Sequence, residues 1–221
     1  FEFTRYDLLD PKTSVFNDEA PPRGSLAICR GCSYNCLTCG ASAYSYQKYL
    51  GMKKPSFSSP EKIISDIKKL NEQGIRQIGL YQDLRMGGRA YWERVLALLR
   101  SEKLGIERLT LDLLAPADTD FIRGVATTGI ETIMYICPDS GCDEVREKQG
   151  RNYSKEELLD TIRLCHRYHL PVTVFFSSGL TGETTETIKE TWKLWDEICL
   201  LNLKEIKRGG NTTNIKLAVY R

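Results

Sequence analysis

Three cysteines set the chemistry this chain could do: Cys32, Cys36 and Cys39 are spaced C-x3-C-x2-C within the run Ile28 to Gly40. One short loop can aim three thiolates so spaced at a single centre. A structural zinc site or a closed iron–sulfur cluster normally takes four protein ligands, so a compact set of three suggests a cluster with one coordination position left open. Cys29 extends the pattern to C-x2-C-x3-C-x2-C. The alternative is therefore closure by a fourth thiol, giving a zinc site or a sealed iron–sulfur module with no room for a substrate. The position of Cys29 at the end of an expected strand, Ser25 to Arg30, favours a buried, inert side chain.

Arg30-Gly31-Cys32, Asn35-Cys36 and Cys39-Gly40 together resemble the signature of the radical S-adenosylmethionine (radical SAM) enzymes, in particular the subset with Arg-Gly before the first ligand. The resemblance implies that Cys32, Cys36 and Cys39 hold three irons of a [4Fe-4S] cluster. It also implies that the fourth iron takes the amino and carboxylate groups of S-adenosylmethionine (SAM). Reductive cleavage to a 5′-deoxyadenosyl radical then needs a reduced electron donor of the flavodoxin or ferredoxin type. The hard chemistry belongs to the cofactors. Thr38 departs from the aromatic residue that many members carry before the last ligand.

Positioning such a loop takes a scaffold, and strand-like and helix-like segments alternate along the chain. Strands are expected at 25–30, 75–82, 108–114, 131–137, 171–177 and 215–220. Between them helical spacing gives 60–73, capped by Ser59 and opened by Pro60, then 89–103, 118–128, 141–148, 154–168 with a capping box from Ser154 to Glu157, and 184–201. Residues 44–52 read as an exposed segment before the first helix. Six β-α-type units in series imply an α/β fold with a parallel sheet covered by helices, because right-handed crossovers place them on its outer side. With no chain for two further units, the expected architecture is a partial, open (β/α)6 TIM-type barrel with parallel strands. The radical SAM resemblance implies the same core. Residues 1–24, broken by Asp10-Pro11 and Pro21-Pro22, read as a lead-in or linker segment, and 25–221 as the catalytic core.

In such barrels chemistry sits at the carboxyl ends of the strands. After the second expected strand comes Asp83, in the place of the motif that holds the SAM amino group by resemblance. After the fourth come Asp139 and Ser140, then Arg146 and the run Gly150-Arg151-Asn152-Tyr153-Ser154. These resemble an acidic-Ser element and an Arg-x-Tyr-Ser pattern, with Asp139 where the family usually has Glu. Arg151 has two candidate partners, a site carboxylate or the acidic helix start at Glu156 and Glu157. After the fifth strand, Gly179 to Thr184 resembles a Gly-x-x-Gly-Glu-Thr element in which Gly179, Gly182 and Glu183 border the nucleoside. No catalytic residue on the substrate side is named by these patterns.

Composition narrows the rest. Thirty-one Lys and Arg against 29 Asp and Glu leave a net charge of +2; no basic run interleaved with aromatics stands out, so nucleic acid is not indicated as a partner. No apolar stretch approaches the length needed to span a bilayer. Eight cysteines without a secretory segment suggest reduced thiols in the cytoplasm and an oxygen-sensitive protein. Cys137 and Cys142 fall short of a second ligand set, and His166 and His169 sit at a helix end suited to a structural role. The chain is expected to be the core of a longer polypeptide whose additional domain binds cobalamin, with a methylthiotransferase as the second possibility. The substrate is not legible in the loops.

Overall fold

The computed structural model describes residue 5 and residues 23–209 and 213–219. The expected lead-in therefore lies outside the described residues except at 5, 23 and 24, and the last two of these already belong to the first strand. In order the elements are β1 (Arg23–Ala27), β2 (Cys29–Arg30), α1 (Ala43–Leu50), β3 (Ser56–Phe57), α2 (Pro60–Glu72), β4 (Gln77–Tyr81), α3 (Arg89–Ser101), β5 (Arg108–Leu113), α4 (Thr119–Ala126), β6 (Thr132–Asp139), α5 (Asp143–Lys148), α6 (Lys155–Arg167), β7 (Val172–Ser178), α7 (Thr185–Lys207) and β8 (Thr213–Val219).

Six strands form one sheet in the order β1-β4-β5-β6-β7-β8, with every neighbouring pair parallel. Among the described residues strands β1 and β8 stand at opposite edges and do not pair, so the barrel is open. The expected (β/α)6 architecture is thus the observed one. Parallel strands buried on both faces usually read as continuous apolar runs, yet these alternate. Leu109, Leu111 and Leu113 of β5 are buried, as are Met134 and Ile136 of β6, while Thr110, Asp112, Tyr135 and Cys137 between them turn to the other, inner face and are only partly covered. The hydrophobic core lies between sheet and helices, and the inner face is mixed, with Ile133, Tyr135 and Phe175 beside Thr110, Asp112 and Thr173. That division leaves a surface on which a ligand can sit.

The helices form where caps and apolar spacing agree. In α2 the Ser59 hydroxyl accepts the Lys62 N–H at 3.2 Å, Pro60 occupies the first position, and Ile63, Ile67 and Leu70 are buried. Each such side chain contributes about 1.5–3 kcal/mol by leaving water. Helix α7 opens with a capping box between Thr184 and Thr187, in which Thr replaces the usual Glu or Gln. It runs to Lys207, past the expected end at 201, because no Gly or Pro interrupts it before Gly209. Three further elements, α1, β2 and β3, differ from the sequence reading. Residues 43–50 are helical although α1 buries no side chain, and β2 pairs antiparallel with β3 in a two-residue ribbon that no periodicity announces.

Candidate cluster and cofactor site

The cysteine loop follows β2 at the carboxyl end of β1 and is held almost entirely through its backbone. Leu37 N–H donates to the Gln149 carbonyl at 3.2 Å, Ala43 N–H to the Tyr34 carbonyl at 2.8 Å, and Tyr44 N–H to the Asn35 side chain at 2.7 Å. Gly150 lets the loop come close. Its φ is +83°, and a Cβ there would sit 2.8 Å from the Asn35 carbonyl oxygen. Thiols are left outward: Cys39 is exposed and Cys32 and Cys36 are half-buried. Burial pushes the Cys36 thiol up, and the nearby Arg151 guanidinium partly offsets this.

Cys29 stands apart from the other three. It is buried in β2, its thiol donates to the Gly31 carbonyl at 3.4 Å, and burial, with Cys32 beside it, pushes its pKa up to about 11. A thiol so held stays protonated. Among the described residues no three His, Cys, Asp or Glu side chains are already gathered at one point. A cluster places its ligands on different irons, and three partly exposed thiols beside a cation fit a [4Fe-4S] group with one iron left free.

The facing wall comes from the ends of β6 and β7. Asp139 ends β6 beyond a register shift between Ile136 and Asp139, at φ +66°, a left-handed conformation that costs a residue with a Cβ roughly 1–2 kcal/mol. Its carboxylate accepts from Ser177 Oγ at 3.0 Å and from Arg151 Nε at 3.1 Å. Arg151 therefore pairs with the site carboxylate and not with the start of α6. Burial acts to lower its pKa, but Asp139 and Cys36 outweigh burial and raise it, so the guanidinium stays charged beside the cysteine loop.

Other expected site residues have partners within the protein. Asp83 is buried and bonds the Arg85 guanidinium at 2.6 and 2.9 Å, the Arg85 N–H at 2.9 Å and the Leu114 N–H at 2.9 Å. Ser140 is fully buried, with Oγ 3.3 Å from Thr191 Oγ1 and accepting the Cys142 N–H at 3.1 Å. Glu183 folds back on its own turn to accept the Gly179 N–H at 2.7 Å, and Gly179 and Gly182 take φ values of +86° and +84°. Cys137 lies on the inner face, where burial raises its pKa to about 11, whereas Cys142 packs with Val145 and Leu180. His166 is buried, with Nε2 3.0 Å from Thr213 Oγ1, pinning α6 to β8.

Gln149 and Asp112 carry weight that the sequence did not announce, and Arg146, noted there only by its place after the fourth strand, proves to be a brace. Gln149 is fully buried; its carbonyl holds Leu37 of the cysteine loop, its side-chain amide donates to the Thr181 carbonyl at 3.2 Å, and among the described residues its Oε1 has no partner. It ties the cysteine loop to the glycine-rich turn. Arg146, also fully buried, donates to the Ser140 carbonyl at 2.8 Å and the Tyr153 carbonyl at 3.1 Å and pairs with Asp143. Asp112 accepts the N–H of Gln82, itself at φ +80°, and burial pushes its carboxyl up to about 6. An inward-facing polar residue at a strand end was the available signal for Asp112. Backbone contacts from residues over a hundred positions away leave no such signal for Gln149.

The family profile of the Radical SAM superfamily matches residues 26–194. A tRNA-2-methylthio-N(6)-dimethylallyladenosine synthase of Thermus thermophilus is 28% identical over 193 residues, covering 80% of this chain and 40% of that protein. A Pyrococcus horikoshii protein named as an uncharacterized methyltransferase is 22% identical over 189 residues, covering 85% of this chain and 39% of its own length. The chain thus spans about two fifths of these relatives. Among solved structures, the radical S-adenosylmethionine methyltransferase TsrM of Kitasatospora setae, with cobalamin and a [4Fe-4S] cluster bound, superposes with a TM-score of 0.66 at 19% identity over 89% of this chain and 37% of that one. Methylornithine synthase PylB gives 0.63 at 12% identity, covering 90% and 53%.

Proposed function

The chain belongs to the radical SAM superfamily, and on that premise we propose that Cys32, Cys36 and Cys39 hold its [4Fe-4S] cluster while the ends of β6 and β7 receive SAM. The observation that carries this reading is the contrast among the loop thiols: three are partly or fully exposed, and Cys29 is turned onto a backbone carbonyl. When bound, the cluster and SAM supply the reductive cleavage that begins radical chemistry.

The chain's own residues divide the remaining work. Arg151, locked by Asp139, places a fixed positive charge beside Cys36, which favours thiolate ligands and offsets the negative charge of a thiolate-bound cluster. Gly179 and Gly182 expose backbone where the nucleoside would lie, and Glu183 keeps that turn in shape. Asp83 and Ser140 act from behind, as supports of the strand ends. Substrate approaches across the mixed inner face, where Asp112, Tyr135 and Phe175 are partly exposed.

For the reaction we favour methyl-group chemistry: cobalamin-assisted methyl transfer, with cobalamin held by a domain outside residues 25–221. The fold shared with TsrM and the relative named as a methyltransferase support this reading. The Thermus relative supports methylthiolation as the second reading. The test is anaerobic incubation of the iron-loaded chain with dithionite and methyl-labelled SAM. Reductive cleavage of SAM to 5′-deoxyadenosine and methionine is expected and, with cob(I)alamin added as the methyl acceptor, S-adenosylhomocysteine and labelled methylcobalamin. An iron-loaded chain that neither binds nor consumes SAM overturns the proposal.

A further inference from the structure

Building on the reading of the cysteine loop as a cluster site, we propose that α1 and the loops flanking it form the docking surface for an acidic electron-donor protein. From Arg23 to Pro60 the chain carries Arg23, Arg30, Lys48, Lys53 and Lys54 and not one Asp or Glu, although the chain as a whole is nearly balanced at +2. Lys48, Lys53 and Lys54 are exposed. Within this cationic stretch lie large apolar side chains open to water: Leu37 is 59% exposed, Tyr44 57%, Tyr49 72% and Leu50 53%. Helix α1 buries none of its residues, so its apolar side chains do not serve the core.

An apolar centre with a rim of one charge fits a transient partner of opposite charge, because electrostatics speeds encounter while a small contact area permits rapid release. The patch adjoins the exposed turn Leu37 to Ala41, which contains Cys39, so a partner seated there comes close to the cluster ligands. The donor gives up one electron, an anionic flavin hydroquinone passing to its neutral semiquinone with no proton transferred, and the cluster accepts that electron with no bond made or broken. Tyrosines amid lysines could also stack on unpaired bases. Here the Lys48 ammonium lies over the rings of Tyr44 and Tyr49, at 5.3 and 5.5 Å from their centroids, and bonds the Tyr44 hydroxyl at 2.9 Å, so one side of each ring already has a cationic neighbour.

The experiment compares the iron-loaded chain with its Lys48→Glu/Lys53→Glu/Lys54→Glu variant. It measures binding of oxidised flavodoxin, cluster reduction by flavodoxin hydroquinone, cluster reduction by dithionite, and binding of a tRNA transcript. We expect flavodoxin affinity and flavodoxin-driven reduction to fall at least tenfold, dithionite-driven reduction to stay unchanged, and the parent's flavodoxin-driven rate to drop as salt rises. Unchanged flavodoxin binding and reduction in the variant overturn the proposal. Loss of tRNA binding with flavodoxin-driven reduction intact assigns the patch to nucleic acid and overturns it equally. A parent chain that takes up no iron refutes the cluster reading itself, an outcome visible before any donor is added.

Discussion

Two walls meet at the carboxyl ends of the strands, and they are built in opposite ways. The cysteine-loop wall is tethered by backbone hydrogen bonds and presents its side chains, thiols included, to solvent. The β6–β7 wall turns its charged side chains inward: Asp139 on Arg151 and Ser177, Arg146 on Ser140 and Tyr153, Glu183 on its own turn. One wall offers ligands and the other offers shape. A polar residue at a strand end is therefore as often a brace for the site as a contact within it, and burial with satisfied hydrogen bonds separates the two.

Breaking the braced wall should cost the most. Arg146→Leu strands the Ser140 and Tyr153 carbonyls in the interior, and a loss on the order of 3 kcal/mol is expected from leaving buried acceptors unpaired. The urea midpoint of the iron-free chain measures it. A midpoint within error of the parent would mean that this wall is not held as described.

A smaller effect distinguishes the inner face from both walls. Burial raises the Asp112 carboxyl from its ordinary value to about 6. The folded state then binds this proton more tightly than the unfolded state, so stability present below pH 4 is lost as pH rises to about 6. Asp112→Asn removes that loss. The variant should match the parent near pH 4 and exceed it at pH 8 by up to about 3 kcal/mol, less whatever the partial exposure of Asp112 screens, as read by urea unfolding at both values. A difference independent of pH would place the carboxylate in water.

The fold was legible because apolar alternation and helix caps agree from α2 through β7: Ser59-Pro60, Ser154 with Glu157, and Leu109, Leu111 and Leu113 each state their element locally. Helix α1 was not, since a helix that buries nothing shows no apolar period, and the end of α7 was not, since Leu203 and Ile206 are exposed and follow no core stripe. At the site, residue types and loop positions could be read, but partners could not. Asp83 meets Arg85 two residues away, a pairing that spacing alone leaves open, and Gln149 acts through a carbonyl that every residue possesses.

The gentlest probe of the contrast is Gly182→Val. The residue sits at φ +84°, and a Cβ would meet only the flexible Lys148 side chain at 3.2 Å, so the chain should fold while its turn is distorted. SAM affinity, followed by equilibrium dialysis, should fall about tenfold, which is about 1.4 kcal/mol. Unchanged affinity would give this turn a purely structural part.

The central claim is that three thiols hold the cluster and leave one iron open. Iron content and the electron paramagnetic resonance spectrum of the reduced protein, recorded with and without SAM, test it in the parent, Cys29→Ala, Cys32→Ala, Cys36→Ala and Cys39→Ala chains. The parent and Cys29→Ala should keep four irons and show a signal that SAM alters, and the other three should lose both. Loss of the cluster in Cys29→Ala, or a parent signal indifferent to SAM, would contradict the claim.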